Sequence, residues 1–378
     1  MAKPLPLRSD VVGSYLRPAY LHQARRDFND NKINKKELTR IEDKAVIELV
    51  EQQKTAGLKV ITDGEFRRRF WHIDFLENLH GIEGYVPEQG YNQTFQGAAM
   101  PSYNIRVTDK ISFNNDHPFL THFKFLKNLA DANEDVIAKA TIPSPTMVLR
   151  QELLAKEDSE SLREIYPNLD DFYADLIQTY CEVINAFYAT GCRYLQFDDT
   201  NWAFLADANK RISLQEKGID GDEIANICTD IINGALANKP DDMIITTHIC
   251  RGNHASSWLF SGGYEPIAEA LFATEYDGFF LEYDNERAGD FAPLRYWQQN
   301  GSRVVLGLIT SKFAQLEDKE LVKTRIAEAA EYVPLSNLCL SPQCGFASTE
   351  QGNNLSIDEQ WQKIRLNNEI ANEVWQGD

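Results

Sequence analysis

The sequence is short of positive charge. Its 378 residues carry 38 Lys and Arg against 57 Asp and Glu, a formal charge of −19 at pH 7. Such a surface repels phosphate backbones and anionic lipid headgroups. Nucleic acid and membrane are therefore not expected partners without a local basic cluster. Long apolar runs are missing as well: no window approaches the roughly 20 residues a membrane span needs. Cysteine is sparse, with six residues (Cys181, Cys192, Cys228, Cys250, Cys339 and Cys344) and no Cys-x-x-Cys pair. The first residues, MAKPLPLRSD, show neither an apolar core nor a small-residue cleavage site. No signal peptide is read there, and a reducing cytoplasm is the expected location. In that compartment thiols serve metals or catalysis more often than disulfides. No low-complexity segment or Pro/Ser-rich linker divides the chain. The 43% hydrophobic and 11% aromatic content is enough for a packed core, which excludes disorder.

What recurs along the chain is a helix, then Gly, then a short apolar run, then an acid. In 36–56, Leu38, Ile41, Ala45 and Leu49 fall on one helical face, and Gly57 follows as a stop. Leu58-Lys59-Val60-Ile61-Thr62 then leads into Asp63-Gly64-Glu65. Residues 171–190, Gly191, Tyr194–Phe197 and Asp198-Asp199 repeat the plan. Eight strand candidates emerge: 10–15, 58–63, 136–142, 194–198, 243–248, 278–283, 303–309 and 338–341. Eight parallel strands alternating with helices predict an α/β fold, a (β/α)8 TIM barrel formed as a single domain over 1–378. An open doubly wound sheet is the alternative, but the GxGxxG turn that usually follows its first strand is absent. Residues 67–135 are too long for a simple βα unit. There, 103–108 and 111–113, separated by Asp109-Lys110, read as a β-hairpin in an insertion after the second strand.

Barrel chemistry sits at the C-terminal ends of strands. Those ends carry Ser14, Glu65, Asp198, His248 and Cys250, Glu282, Thr310 and Lys312, and Cys344. On a strand, His248 and Cys250 point to the same side. Imidazole nitrogen and thiolate sulfur are ligands Zn2+ favours. With Glu282 and Cys344 from neighbouring strands they form a candidate tetrahedral set. Blander roles fit the remainder. Cys181, Cys192, Cys228 and Cys339 read as core residues. His72, His80, His117, His122 and His254 read mostly as surface or loop histidines, with His72 able to line a pocket. Arg67-Arg68-Arg69 reads as an anion site, or as a solvated or acid-paired run. Asp198-Asp199 also fits a plain helix N-cap.

The ordered motifs resemble the catalytic barrel of the cobalamin-independent methionine synthases. They are Val12-Gly13-Ser14, Asp63-Gly64-Glu65, Leu195-Gln196-Phe197-Asp198-Asp199, His248-Ile249-Cys250, Glu282 and Ser341-Pro342-Gln343-Cys344-Gly345. Phrases such as GSYLRP, TDGEFRR, CRGN and GGYEPIAEALF are similar to those of the short single-barrel bacterial paralogues. The resemblance implies zinc-dependent methyl transfer to the thiol of homocysteine, giving methionine. It implies His248, Cys250, Glu282 and Cys344 as zinc ligands. It implies Glu65 and Asp198 on the substrate ammonium, with Gly13 and Ser14 on its carboxylate. After the seventh strand the full-length synthase has Asp-x-His, whose His serves as an acid toward the folate. Here Thr310-Ser311-Lys312 stands in its place, making Lys312 the candidate catalytic replacement. With one barrel and this change, the methyl donor stays open among methyltetrahydrofolate, a methylcorrinoid protein and a sulfonium. A different small thiol, a non-catalytic zinc- or thiol-binding relative, and a decarboxylase of similar barrel type are the competing readings. The last needs no zinc set. The sequence leaves homo-oligomerisation open.

Overall fold

The computed structural model describes residues 5–87, 103–133, 135–154, 160–298 and 301–376. Its strands are β1 (Val60–Ile61), β2 (His80–Tyr85), β3 (Asn104–Ser112), β4 (Ile137–Ala138), β5 (Ala140–Pro143), β6 (Tyr194–Asp199), β7 (Ile244–Ile249), β8 (Gly278–Glu282), β9 (Arg303–Ile309) and β10 (Leu338–Pro342).

Local sequence explains why each strand starts where it does. The helix Lys35–Thr55 opens at Asn34, whose side chain accepts the Glu37 N–H. It buries Leu38, Ala45, Val46, Leu49 and Val50, the stripe that a 3.6-residue period places on one face. Gly57, at φ +88°, ends it, and the chain enters β1. Helix Leu169–Ala189 repeats the device with Gly191, at φ +91°, before β6.

Six strands form one parallel sheet in the order β10-β9-β8-β7-β6-β5. β5, β6, β8 and β10 are buried along their whole length, as expected for strands covered on both faces. The register sets Asp198 beside His248 and Glu282 beside Gly307. β1 pairs in parallel with β4, and Lys139 alone separates β4 from β5. The expected first strand, 10–15, is not a ladder strand. It is held by parallel bridges at Ser9–Leu340 and Ser14–Gly64, and Gly13 at φ +144° breaks its extended run. Asp10 N–H donates to Leu340 O at 3.1 Å, and Tyr15 N–H to Gly64 O at 3.2 Å.

The expected hairpin is corrected. Asp109-Lys110 is not a turn but lies inside the continuous strand β3, whose antiparallel partner is β2. The sequence reading missed β2 because its HGIEGY has two glycines and no clean apolar alternation.

The main core runs from Val11 to Trp375. A small separate cluster unites Val12, Phe280, Val305 and Cys339. Beside it lies Lys139, whose ammonium sits 4.6 Å from the Phe280 ring centre. Lys139 Nζ also pairs with Asp10 at 3.1 Å and donates to Gln196 Oε1 at 3.0 Å and to Val11 O. Tyr194 OH donates to the other Asp10 oxygen at 2.8 Å. The helix Ile357–Trp375 closes the chain and starts on a capping box, Ser356 with Glu359. Trp361 stacks on Tyr15 at 5.2 Å, and Gln360 Oε1 accepts the Leu16 N–H at 2.7 Å. This pins the first segment against the sheet. Among the described residues no helix is long and apolar enough to cross a membrane.

Candidate metal and thiol site

Parallel strands deliver their C-terminal ends to one rim. His248 is the penultimate residue of β7, and Cys250 lies just beyond the strand. Glu282 ends β8, and Cys344 lies two residues past β10. Donor atoms of His248, Glu282 and Cys344 fall within 4.8 Å of one another, all buried. Cys250 Sγ lies 3.7 Å from Cys344 Sγ. The structure thus brings together all four expected metal ligands. One imidazole, one carboxylate and two thiols are a donor set that fits Zn2+.

His248, Glu282 and Cys250 each have a supporting partner. His248 Nδ1 lies 3.1 Å from Asp198 Oδ1, the carboxylate–histidine pairing that orients metal-binding imidazoles, and Nε2 lies 3.1 Å from Gln343 O. Glu282 Oε1 accepts from Arg251 N–H at 3.0 Å and from Asn253 Nδ2 at 2.5 Å. Glu282 Oε2 accepts from Arg287 Nη2 at 2.8 Å. Asn253 Nδ2 also lies 3.6 Å from Cys250 Sγ, so one side chain touches two ligands.

Charge follows from this packing. Burial alone would push His248 down, but the Asp198 carboxylate outweighs it and holds the metal-free imidazole up at about 9. The hydrogen bond between the adjacent thiols lowers Cys250 and raises Cys344.

The expected substrate residues line the same rim. Asp198 touches His248, and Gln196 Nε2 donates to Asp198 Oδ1 at 2.8 Å. Glu65 is buried and takes a left-handed backbone, φ +60°, a conformation that costs an ordinary residue on the order of 1–2 kcal/mol. It is held there by Arg17 Nη2, which donates to its carbonyl at 2.8 Å. Its carboxylate accepts from Thr141 Oγ1 at 3.1 Å and lies 3.4 Å from Arg68. Burial pushes it up to about 7, against the pull of Arg68 and helped by Asp198 and Asp63. Gly13 packs on the Thr141 methyl so closely that a Cβ would clash at 2.8 Å. Ser14 lies against Gly345, where a Cβ would overlap the Ser14 hydroxyl, and Ser14 Oγ accepts the Ala347 N–H at 3.3 Å. Gly13, Ser14, Glu65 and Asp198 thus form a polar wall running from Thr141 to the Cys344 turn.

Lys312 is fully buried, with Nζ 2.6 Å from Asp284 Oδ2. Asp284 in turn lies 3.3 Å from Arg287 Nη2.

Other expectations divide. Cys192, Cys228 and Cys339 are buried core residues, as read, and Cys181 is half-buried. Of the histidines read as surface or loop residues, His72, His117 and His254 lie outside the helices and ladder strands but are buried. His72 Nε2 meets Gln151 Nε2 at 2.9 Å, and His117 Nε2 meets Phe75 O at 3.0 Å. Arg67 pairs with Glu42 and Asp43, the acid-paired outcome. Asp199, not Asp198, acts in capping, accepting the Asn201 N–H at 2.6 Å.

Sequence reading missed Asn253, Asp284, Arg287 and Lys139. The signals were present: Asn253 closes the CRGN phrase, Asp284 and Arg287 follow Glu282 in EYDNER, and Lys139 interrupts an apolar strand.

Comparisons with known proteins bear on the fold and the family. No family model matches the chain. The uncharacterized Bacillus subtilis protein YxjG is 44% identical over 374 residues, covering 99% of this chain and 96% of the relative. A Listeria monocytogenes crystal structure, provisionally described as a vitamin-B12-independent methionine synthase, is 42% identical with a TM-score of 0.79, covering 99% of both chains. A B12-independent methionine synthase from Shewanella sp. W3-18-1 shares the fold at a TM-score of 0.69 and 17% identity, covering 98% of each chain.

Proposed function

Because the chain belongs to the cobalamin-independent methionine synthase family, we propose that it is a zinc-dependent methyltransferase that methylates the thiol of homocysteine. The observation that carries this is the convergence of His248, Cys250, Glu282 and Cys344 from three strand ends onto one buried point. We read the eight segments as a closed (β/α)8 barrel forming one domain, the Ser9 and Ser14 bridges completing the ring. We place the protein in a reducing cytoplasm, where the thiol ligands stay available.

In this reading the four side chains would hold Zn2+. When bound, the metal supplies the Lewis acidity that strips the proton from a substrate thiol, whose free pKa lies near ~8.5. The chain's own residues do the rest. Asp198 and Glu65 bind the substrate ammonium, while Ser14 and the Gly13 backbone hold its carboxylate, so that the sulfur is directed toward the metal ligands. Asp198 has a second task, since it also orients His248. In the transfer the new S–CH3 bond forms as the donor–CH3 bond breaks, and that bond's electron pair stays with the donor. The burial of Lys312 against Asp284 supports a donor other than methyltetrahydrofolate, because the position of the family's acid is tied up in an ion pair.

The test is a donor screen with zinc-loaded protein, homocysteine and labelled methyltetrahydrofolate, methylcorrinoid and sulfonium donors, with methionine read by mass. Methionine from any donor supports the reading. Metal analysis accompanies it: Cys250→Ser and Cys344→Ser should each lose stoichiometric zinc. Tight one-to-one zinc in either variant refutes the ligand set.

A further inference from the structure

Thr310-Ser311-Lys312 follows β9, whose two sheet neighbours, β8 and β10, lead into metal ligands. We propose that this segment is a brace that fixes Glu282 and Cys344, and that Lys312 is a positioning residue rather than a proton donor. The inference rests on reading His248, Cys250, Glu282 and Cys344 as zinc ligands.

Two arms make the brace. Toward β8, charges alternate along a buried line. Glu282 meets Arg287 at 2.8 Å, Arg287 meets Asp284 at 3.3 Å, and Asp284 meets Lys312 at 2.6 Å. Two carboxylates face two cations, so the set is neutral while complete. Arg287 is shared between two acids and lies over the Trp258 ring at 4.3 Å. With Lys312 occupying one Asp284 oxygen, Arg287 stays with Glu282. Without Lys312, a buried Asp284 carboxylate would compete for that guanidinium, and the line would carry an uncompensated negative charge. Toward β10, Ser311 N–H donates to Gln343 Oε1 at 2.5 Å, and Ser311 Oγ donates to Gly345 O at 3.0 Å. These two contacts flank Cys344 on both sides. The base of the brace is fixed too: Thr310 N–H donates to Glu317 Oε1 at 2.8 Å, and Glu317 pairs with Lys363 of the last helix at 2.9 Å.

A proton donor must reach a reacting atom. The Lys312 ammonium is instead sealed from solvent and faces a carboxylate. Groups that orient metal ligands typically change metal affinity by about 10–100-fold when removed.

The test titrates zinc into full-length protein against a chromophoric chelator and records the absorption spectrum of the cobalt(II)-substituted form. Lys312→Met should weaken zinc by roughly 10–100-fold and alter the cobalt spectrum. Lys312→Arg, which keeps the charge, should retain most of the affinity. The pair Asp284→Asn with Lys312→Met, which removes the stranded charge, should recover much of the loss. If Lys312→Met keeps wild-type zinc affinity and spectrum yet loses methyl transfer, the proposal is overturned in favour of a proton donor. Wild-type protein in the same titration separates this from failure of the zinc reading, since only that failure would remove wild-type binding. Should Lys312→Met not fold, as judged by its melting curve, Ser311→Ala carries the test. Weaker zinc in that variant supports the brace, and unchanged zinc overturns it.

Discussion

Glu65 shows how a single residue is shaped for its task. Its left-handed backbone and buried carboxylate are both unfavourable, and surrounding contacts hold them in place. Its carboxyl, near ~4.3 in an unfolded chain, is raised to about 7 chiefly by burial. A raised acid contributes stability that is complete below the unfolded value and is lost as pH climbs through the folded one. Zinc-free protein should therefore lose stability between about pH 4.3 and 7, and Glu65→Gln should flatten that decline in denaturant melts taken across the range. An equal slope in both proteins would remove Glu65 as its source. An amino acid substrate bound as proposed would read the same group in reverse, because an ammonium needs the ionised carboxylate. Its affinity, by calorimetry, should rise as pH approaches 7 in wild type alone. Glu65 was legible in the sequence because it stands just past a strand candidate, in Asp63-Gly64-Glu65. Its environment was not, since Arg68, Thr141 and Asp198 reach it only through the fold.

Elements explain which parts of the site could be read in advance. β6, β7, β8 and β10 are buried runs with acids, His or Cys at or just past their C-terminal ends, so Asp198, His248, Glu282 and Cys344 could be placed from the sequence. Arg287 and Asp284 could not. They sit on the loop and short 3-10 turn after β8, and their meaning comes from a cation on β9's loop. β2 escaped for a compositional reason and β3 was divided for a patterning one, since Asp109-Lys110 mimics a turn. The last helix, Ile357–Trp375, follows β10. Its capping box gives an element-scale prediction. Ser356→Ala should lower unfolding free energy by about 1 kcal/mol, read by chemical denaturation, while zinc stoichiometry stays at wild type. A zinc loss in that variant would show that the helix governs the site more directly than its contacts with Leu16 and Tyr15 imply.

Across the whole molecule, one polar line links the sheet interior to the proposed metal ligands. Asp10 pairs with Lys139, Lys139 donates to Gln196, Gln196 to Asp198, and Asp198 faces His248. Burial pushes the Lys139 ammonium down and Asp10 pulls against it, so the pair is held in a medium where neither charge is comfortable alone. Lys139→Met should destabilise the fold by about 3–5 kcal/mol in denaturant melts, because it strands a buried Asp10. Adding Asp10→Asn should return a large part of that loss. Additive damage would mean that the two residues act separately. The same scale gives meaning to the segment around Gly13, joined to its neighbours by single bridges at Ser9 and Ser14 where other strands have full ladders. Amide exchange follows local opening. The backbone from 10 to 15 should therefore trade hydrogen for deuterium well before β6 to β9, and bound substrate should slow it. The segment most thinly stitched to its neighbours is also the one proposed to hold the substrate carboxylate, so local opening and substrate entry would share one hinge of backbone.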